Sequence, residues 1–111
     1  MGKFVKGDVV VIPFPFSDLS MSKRRPALVL AESGSDDIIL CQITGQQVKD
    51  ERAIIMGNDD MENGSLRLVS NIRPNKLFTA DAGIVLYKAG SLTQSKLDCV
   101  IDSVVEIFRD S

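Results

Sequence analysis

The residues of this 111-residue chain that are best suited to chemistry gather at one arginine–proline step. Lys23, Arg24 and Arg25 directly precede Pro26, where the apolar stretch PALVL begins. A residue before proline is restricted to extended conformations, so Arg25 is predicted at the start of a strand. A guanidinium fixed there would suit phosphate oxygens and could stabilise developing negative charge. The alternative is a surface arginine paired with Asp18 or another acid.

A hydroxyl group is predicted beside this arginine. Residues 38–44, IILCQIT, favour a strand on which Leu40, Gln42 and Thr44 share one face. The segment ESGSDD predicts a turn before that strand. Arg25 and Thr44 are almost equally far from this turn along the chain, so they should lie at the same end of one hairpin. Together they would form a phosphate pocket.

Other polar and aromatic residues flank this pocket in the sequence. Phe14 and Phe16 lie in a stretch without a periodic core pattern, where they could stack on unpaired bases or anchor a loop. Asn71 and Arg73, in the segment SNIRP, could read bases or close a turn.

Composition excludes several classes of site. The chain has no histidine, which excludes Ser-His-Asp triads and histidine-based acid–base or metal sites. Cys41 and Cys99 lie in apolar runs without Cys-x-x-Cys spacing, so both are predicted as core residues in a reducing compartment. A carboxylate Mg²⁺ site is considered beside the simpler interpretation of solvated turn acids, and its candidates are Asp36, Asp37, Asp59 and Asp60.

Charge and hydropathy point to a cytosolic protein with a local basic cluster. The net charge is −2, so a polyanion would have to bind the basic residues concentrated in segment 3–25. No apolar run reaches the length of a membrane helix, and the N-terminus lacks an apolar signal core. The length fits a single domain over residues 1–111.

Short β-type segments dominate the pattern. Strands are predicted at 9–13, 27–30, 38–44, 53–56 and 66–72, with an edge strand at 77–80, a loop at 57–64 and an ambiguous segment at 84–87. A C-terminal amphipathic helix is predicted after Thr93 as N-cap, and its apolar stripe is Leu97, Val100, Ile101, Val104, Val105 and Phe108. These elements favour a mainly β fold, a small curved antiparallel sheet or barrel with a C-terminal helix.

Four segments resemble the MazF/PemK family of toxin endoribonucleases: KGDVVVIPF, KRRPALVL, QITGQ and GSLRLVSNIRPNKL, followed by the helix. The segment SDLSMSK stands where many members have a glycine-rich loop, and is similar to a variant branch beginning PFPF. The resemblance implies an SH3-like barrel, a homodimer and a cognate antitoxin. It also implies cleavage of single-stranded RNA without metal or other cofactor, which leaves 2′,3′-cyclic phosphate and 5′-hydroxyl ends.

The resemblance also implies roles for individual residues. Arg25 and Thr44 occupy the positions of the catalytic arginine and the phosphate-holding threonine. The residues predicted to bind RNA are Phe16, Lys23, Arg24, Gln46, Asn71 and Arg73. Two alternatives stay open: a non-catalytic module that binds DNA gyrase, as the related CcdB toxins do, and an RNA-binding barrel without activity.

Overall fold

The chain folds into an antiparallel sheet that is followed by a long helix. The computed structural model describes residues 4–14, 23–45, 50–65 and 69–110. The strands in this part of the chain are β1 (Asp8–Phe14), β2 (Lys23–Glu32), β3 (Asp37–Thr44), β4 (Ile54–Met56), β5 (Met61–Gly64), β6 (Ser70–Asp81) and β7 (Tyr87–Leu92), and the helix is α1 (Gln94–Asp110). Two 3₁₀ turns span Asn58–Asp60 and Ala82–Ile84. The predicted mainly β fold with a C-terminal helix is confirmed.

The sheet curls back on itself because its two edges are close together in the chain. The strand order is β4-β6-β3-β2-β1-β7-β5, so β4 and β5 form the edges. Only the segment 57–60 separates these two strands, and such a short segment limits the gap between the edges to about 17 Å. The result is a half-barrel, and α1 packs against one side of it.

Both faces of the central strands carry apolar clusters. Leu28 and Leu30 of β2 belong to a cluster shared with Leu97 and Val100 of α1. Ala27 and Val29, which alternate with them, belong to a second cluster on the other face. Phe4, Ala82 and Val85 pack against this second cluster from outside the sheet.

Two strands differ from the sequence prediction. The predicted loop 57–64 contains a 3₁₀ turn and then β5, and the ambiguous segment 84–87 leads into β7. Both strands are rich in polar residues and glycine, so they lack the usual β pattern, and their pairing depends on a close approach of Gly64 and Gly90. Segments 70–72 and 77–80 form one strand, β6, which shifts register around the buried Pro74. Residues 66–68 of the predicted fifth strand lie outside the described residues.

The predictions for the two cysteines are corrected in part, and the prediction for the helix N-cap is confirmed. Cys41 is buried, and this burial raises its pKa to about 12, but Cys99 is exposed, so the prediction of two core cysteines was wrong for Cys99. Both are free thiols. Thr93 caps the helix as predicted, since its Oγ1 accepts from the Lys96 amide at 3.3 Å.

The apolar stripe of α1 is covered only in part. Leu97 and Val100 are buried and Ile101 and Val104 pack against the same cluster, whereas Val105 and Phe108 are 42% and 68% exposed. In the described part of the chain, no helix is both long and apolar enough to cross a membrane.

We expect Gly90→Ala to destabilise the fold by about 2 kcal/mol. A Cβ at position 90 would collide with the carbonyl oxygen of Asn63 and lie 2.6 Å from Cε of Met61. Urea unfolding measures the loss. The matched control is Gly57→Ala, whose Cβ would meet only Cγ2 of Val69 at 3.9 Å and should leave stability unchanged. Equal stability of the two variants would contradict the close packing of β5 on β7.

Candidate functional site

Arg25 lies on β2, one residue before Pro26, as the sequence predicts. Its strand neighbour on β1 is Ile12, which is fully buried in the second apolar cluster. Residues 25, 27 and 29 alternate onto the same face, so the Arg25 side chain projects from the face that carries this cluster. Its burial is intermediate, so the residue is partly accessible to solvent.

Arg25, Thr44 and Asn71 form one row across three strands. Ala27 pairs with Gln42, and continuing that register by two residues on each strand places Arg25 opposite Thr44. Thr44 pairs in turn with Asn71 of β6. Residues paired across antiparallel strands point to the same face, so the predicted meeting of Arg25 with Thr44 is supported by the register and extends to Asn71. We call Arg25, Thr44 and Asn71 the polar row.

The members of the polar row differ in their surroundings. Within the described part of the chain, the Arg25 side chain makes no ion pair or side-chain hydrogen bond. Thr44 is only 6% exposed, so it is more covered than its place at a strand end suggested. Thr44 and Asn71 both take part in interactions within the fold. A partly exposed cation therefore lies beside two polar residues that take part in interactions within the fold.

Arg73 lies on the same face, one pair further along the strands, but it is engaged with an acid. It pairs with Gln42 in the ladder, and its Nε donates to Oδ2 of Asp50 at 3.3 Å. The Asp50 side chain is only 9% exposed. Arg73, predicted to bind RNA, thus has an intramolecular partner that sequence reasoning missed.

Asp50 also organises the turn that leads into β4. Its Oδ1 accepts from the Arg52 amide at 3.0 Å, and its carbonyl oxygen accepts from the Ala53 amide at 3.1 Å. The Arg52 amide is the main cause that lowers the pKa of Asp50, and Arg73 adds to it against the effect of burial. An aspartate side chain that accepts from the backbone amide two residues ahead is typical of Asx turns. An aspartate at this position in a turn segment is the sequence signal that could have indicated the role of Asp50.

The remaining predicted residues are dispersed. Arg24 is exposed and alternates onto the face opposite Arg25. Lys23 begins β2, next to Phe14 at the end of β1. Phe16 and Gln46 lie outside the described residues, as does Asp18, the acid considered as a partner of Arg25.

The acids considered as Mg²⁺ ligands are not clustered. In ranges 4–14, 23–45, 50–65 and 69–110, no three His, Cys, Asp or Glu residues are grouped to hold a metal ion. Asp60 instead accepts from the Gly57 amide at 3.0 Å and pairs with Lys96 at 3.6 Å.

Asp50→Asn should reduce stability at neutral pH and have progressively less effect in acid. The folded protein holds the pKa of Asp50 below its usual value, so ionised Asp50 favours folding. That contribution is complete above the unfolded-state pKa of about 4, and it is lost as the pH falls through the lower folded-state pKa. Urea unfolding at a series of pH values measures the difference between the two proteins. A difference that stays constant down to the most acidic pH would contradict the role of the carboxylate.

The chain matches one known protein family. Residues 5–108 match the model of the PemK-like, MazF-like toxins of type II toxin-antitoxin systems. No curated protein sequence matches the chain significantly.

Several solved structures share the fold. An endoribonuclease in complex with its cognate antitoxin from a mycobacterial species has a TM-score of 0.75 at 12% identity, with 97% of each chain covered. The MazE–MazF complex of Deinococcus radiodurans also gives 0.75, at 16% identity, covering 97% of this chain and 98% of that one. The Mycobacterium tuberculosis toxin MazF-mt6 gives 0.70 at 14% identity, with 91% and 95% covered. The chain belongs to the PemK-like, MazF-like family of toxins from type II toxin-antitoxin systems.

Proposed function

We propose that this protein is a toxin endoribonuclease that cleaves single-stranded RNA at the polar row. The observation that carries the proposal is the partly exposed Arg25, which the continued β2–β3 register places opposite Thr44 and which has no acidic partner among the described residues. An arginine in this state can accept a phosphate without first giving up an ion pair. Solved proteins of the same fold include endoribonucleases, which supports the proposal.

The proposed reaction is an internal transfer at phosphorus. The ribose 2′-oxygen bonds to the adjacent phosphorus, the bond to the 5′-oxygen breaks, and the products carry 2′,3′-cyclic phosphate and 5′-hydroxyl ends. Water takes the proton of the 2′-hydroxyl, and Arg25 or water returns one to the leaving oxygen. Arg25 stabilises the charge of the pentacoordinate phosphorus, Thr44 orients a phosphate oxygen and Asn71 contacts a base. No metal or cofactor takes part in this scheme.

The assembly that we propose is a homodimer that a cognate antitoxin inhibits. Related toxins of the same fold form complexes with an antitoxin in mycobacteria and in Deinococcus radiodurans. We further propose that the chain represents a branch of the family marked by the PFPF segment at 13–16. Lys23, Arg24, Phe16 and Gln46 remain proposed RNA-binding residues.

Arg25→Ala should lower the rate of RNA cleavage by a factor of about 100 to 1000, because it removes the main stabiliser of the transition-state charge. The measurement incubates the protein with mixed single-stranded RNA in EDTA and resolves the products and their end groups. The control is Arg109→Ala, which removes an exposed arginine at the end of α1 and should keep full activity.

Four outcomes would contradict the proposal. Cleavage by the Arg25 variant at the wild-type rate would exclude the role of Arg25, and loss of all cleavage in EDTA would exclude metal independence. RNA affinity that weakens with salt, but without products, would favour an inactive RNA-binding barrel. Capture of DNA gyrase without RNA cleavage would favour a CcdB-like module.

A further inference from the structure

Two aliphatic side chains are exposed directly beside the polar row. Ile55 of β4 pairs with Asn71, and its side chain is 66% exposed. Val69 lies just before β6, two residues ahead of Asn71, and is 65% exposed. Its Cγ2 would be 3.9 Å from a Cβ on Gly57, which lies two residues after Ile55, so Val69 extends the same face. Edge strands are usually protected by charged side chains, by proline or by short length, so two adjacent exposed aliphatic residues here call for an explanation.

The exposure of Ile55 is not a failure of packing. Its neighbours Ile54 and Met56 alternate onto the opposite face and join the cluster under α1, and Met56 is fully buried. The strand therefore has its apolar side turned inward, and Ile55 is an additional apolar residue on the outer side. Val69 lies over the turn after β4, since its Cγ2 would be 3.9 Å from a Cβ placed on Gly57.

Ile55 is exposed but its backbone is held from two directions. On one side the β4–β6 ladder fixes it against Asn71. On the other side Lys96 Nζ donates to its carbonyl oxygen at 3.0 Å, while also pairing with Asp60 at 3.6 Å. A side chain on a fixed backbone loses little freedom when a ligand covers it, as a binding platform requires.

The position of Ile55 relative to the polar row decides what it can contact. Adjacent strands lie about 4.8 Å apart, so Ile55 is about 10 Å from Thr44, with Asn71 between them. A nucleobase has an apolar face and a polar edge. At this point Ile55 and Val69 offer an apolar surface, and Asn71 offers an amide that can hydrogen-bond to a base edge.

We infer that Ile55 and Val69 form an apolar platform for the unpaired nucleobase next to the cleaved phosphate, and that they set the base preference there. The inference rests on the proposed function, because the polar row supplies the phosphate site from which the base reaches the platform. RNA is favoured over a protein partner because the platform is continuous with that phosphate site.

The test uses Ile55→Thr and Val69→Thr, which replace apolar atoms by a hydroxyl at exposed positions. Mapping the 5′ ends of RNA cut by the wild-type protein first defines a preferred oligonucleotide. We expect each variant to bind this oligonucleotide, with a 2′-deoxy substitution that blocks cleavage, about tenfold more weakly. Preference for the base at one position beside the cut should also be relaxed. The control Val105→Thr changes an aliphatic side chain on α1 that is 42% exposed, and it should match wild type.

The readouts separate failure of the platform from failure of the proposed function. Wild-type affinity and base preference in both variants would overturn the platform, even if cleavage occurs. Unchanged RNA binding with a loss of dimer on sedimentation would also overturn it and assign the patch to a protein contact. If the wild-type protein does not cleave RNA, the proposed function fails, and binding of mixed single-stranded RNA by the same variants still decides the platform. Urea unfolding checks that each variant is folded.

Discussion

The register between β2 and β3 is the constraint on which the candidate site depends. Arg25 and Thr44 take their places by counting from the pair Ala27–Gln42, and Asn71 takes its place by pairing with Thr44. A slip of one residue would turn Arg25 toward the aliphatic cluster under α1, where a charge has no partner. The turn at 33–36 starts this hairpin, since the Ser33 amide donates to the Asp37 carbonyl and the Asp37 amide to that of Gly34. A register shift between Val29 and Ala31 then brings Ala27 opposite Gln42.

Apolar packing on both faces explains why the polar chemistry is confined to the strand ends. The central strands carry aliphatic residues on each side over most of their length, which leaves little room for polar groups. Arg25 pairs with the buried Ile12 in the β1–β2 ladder, so its backbone lies beside a close-packed apolar cluster. Such clusters deform little, and this rigidity keeps the polar row in register without a large network of its own.

Local sequence patterns predicted the β2–β3 hairpin and its polar end, but not the contacts that form between distant segments. Alternation in residues 38–44, the ESGSDD turn and the Pro26 restriction together predicted the meeting of Arg25 with Thr44, because each is a short-range effect. Strands β5 and β7 were missed because glycine contacts between distant segments create them, not side-chain propensity. The Arg73–Asp50 ion pair and the exposure of Ile55 depend on the folded sheet, which no local pattern describes.

The bond from Lys96 to the Ile55 carbonyl has a consequence for solubility. β4 is an edge strand whose outer side chain is aliphatic, a combination that invites another molecule to add a strand and begin aggregation. Lys96 occupies one backbone acceptor that an incoming strand would need, and it places a positive charge at that edge. Lys96 on the helix thus opposes intermolecular β-sheet growth at this edge and leaves the aliphatic side chain of Ile55 accessible.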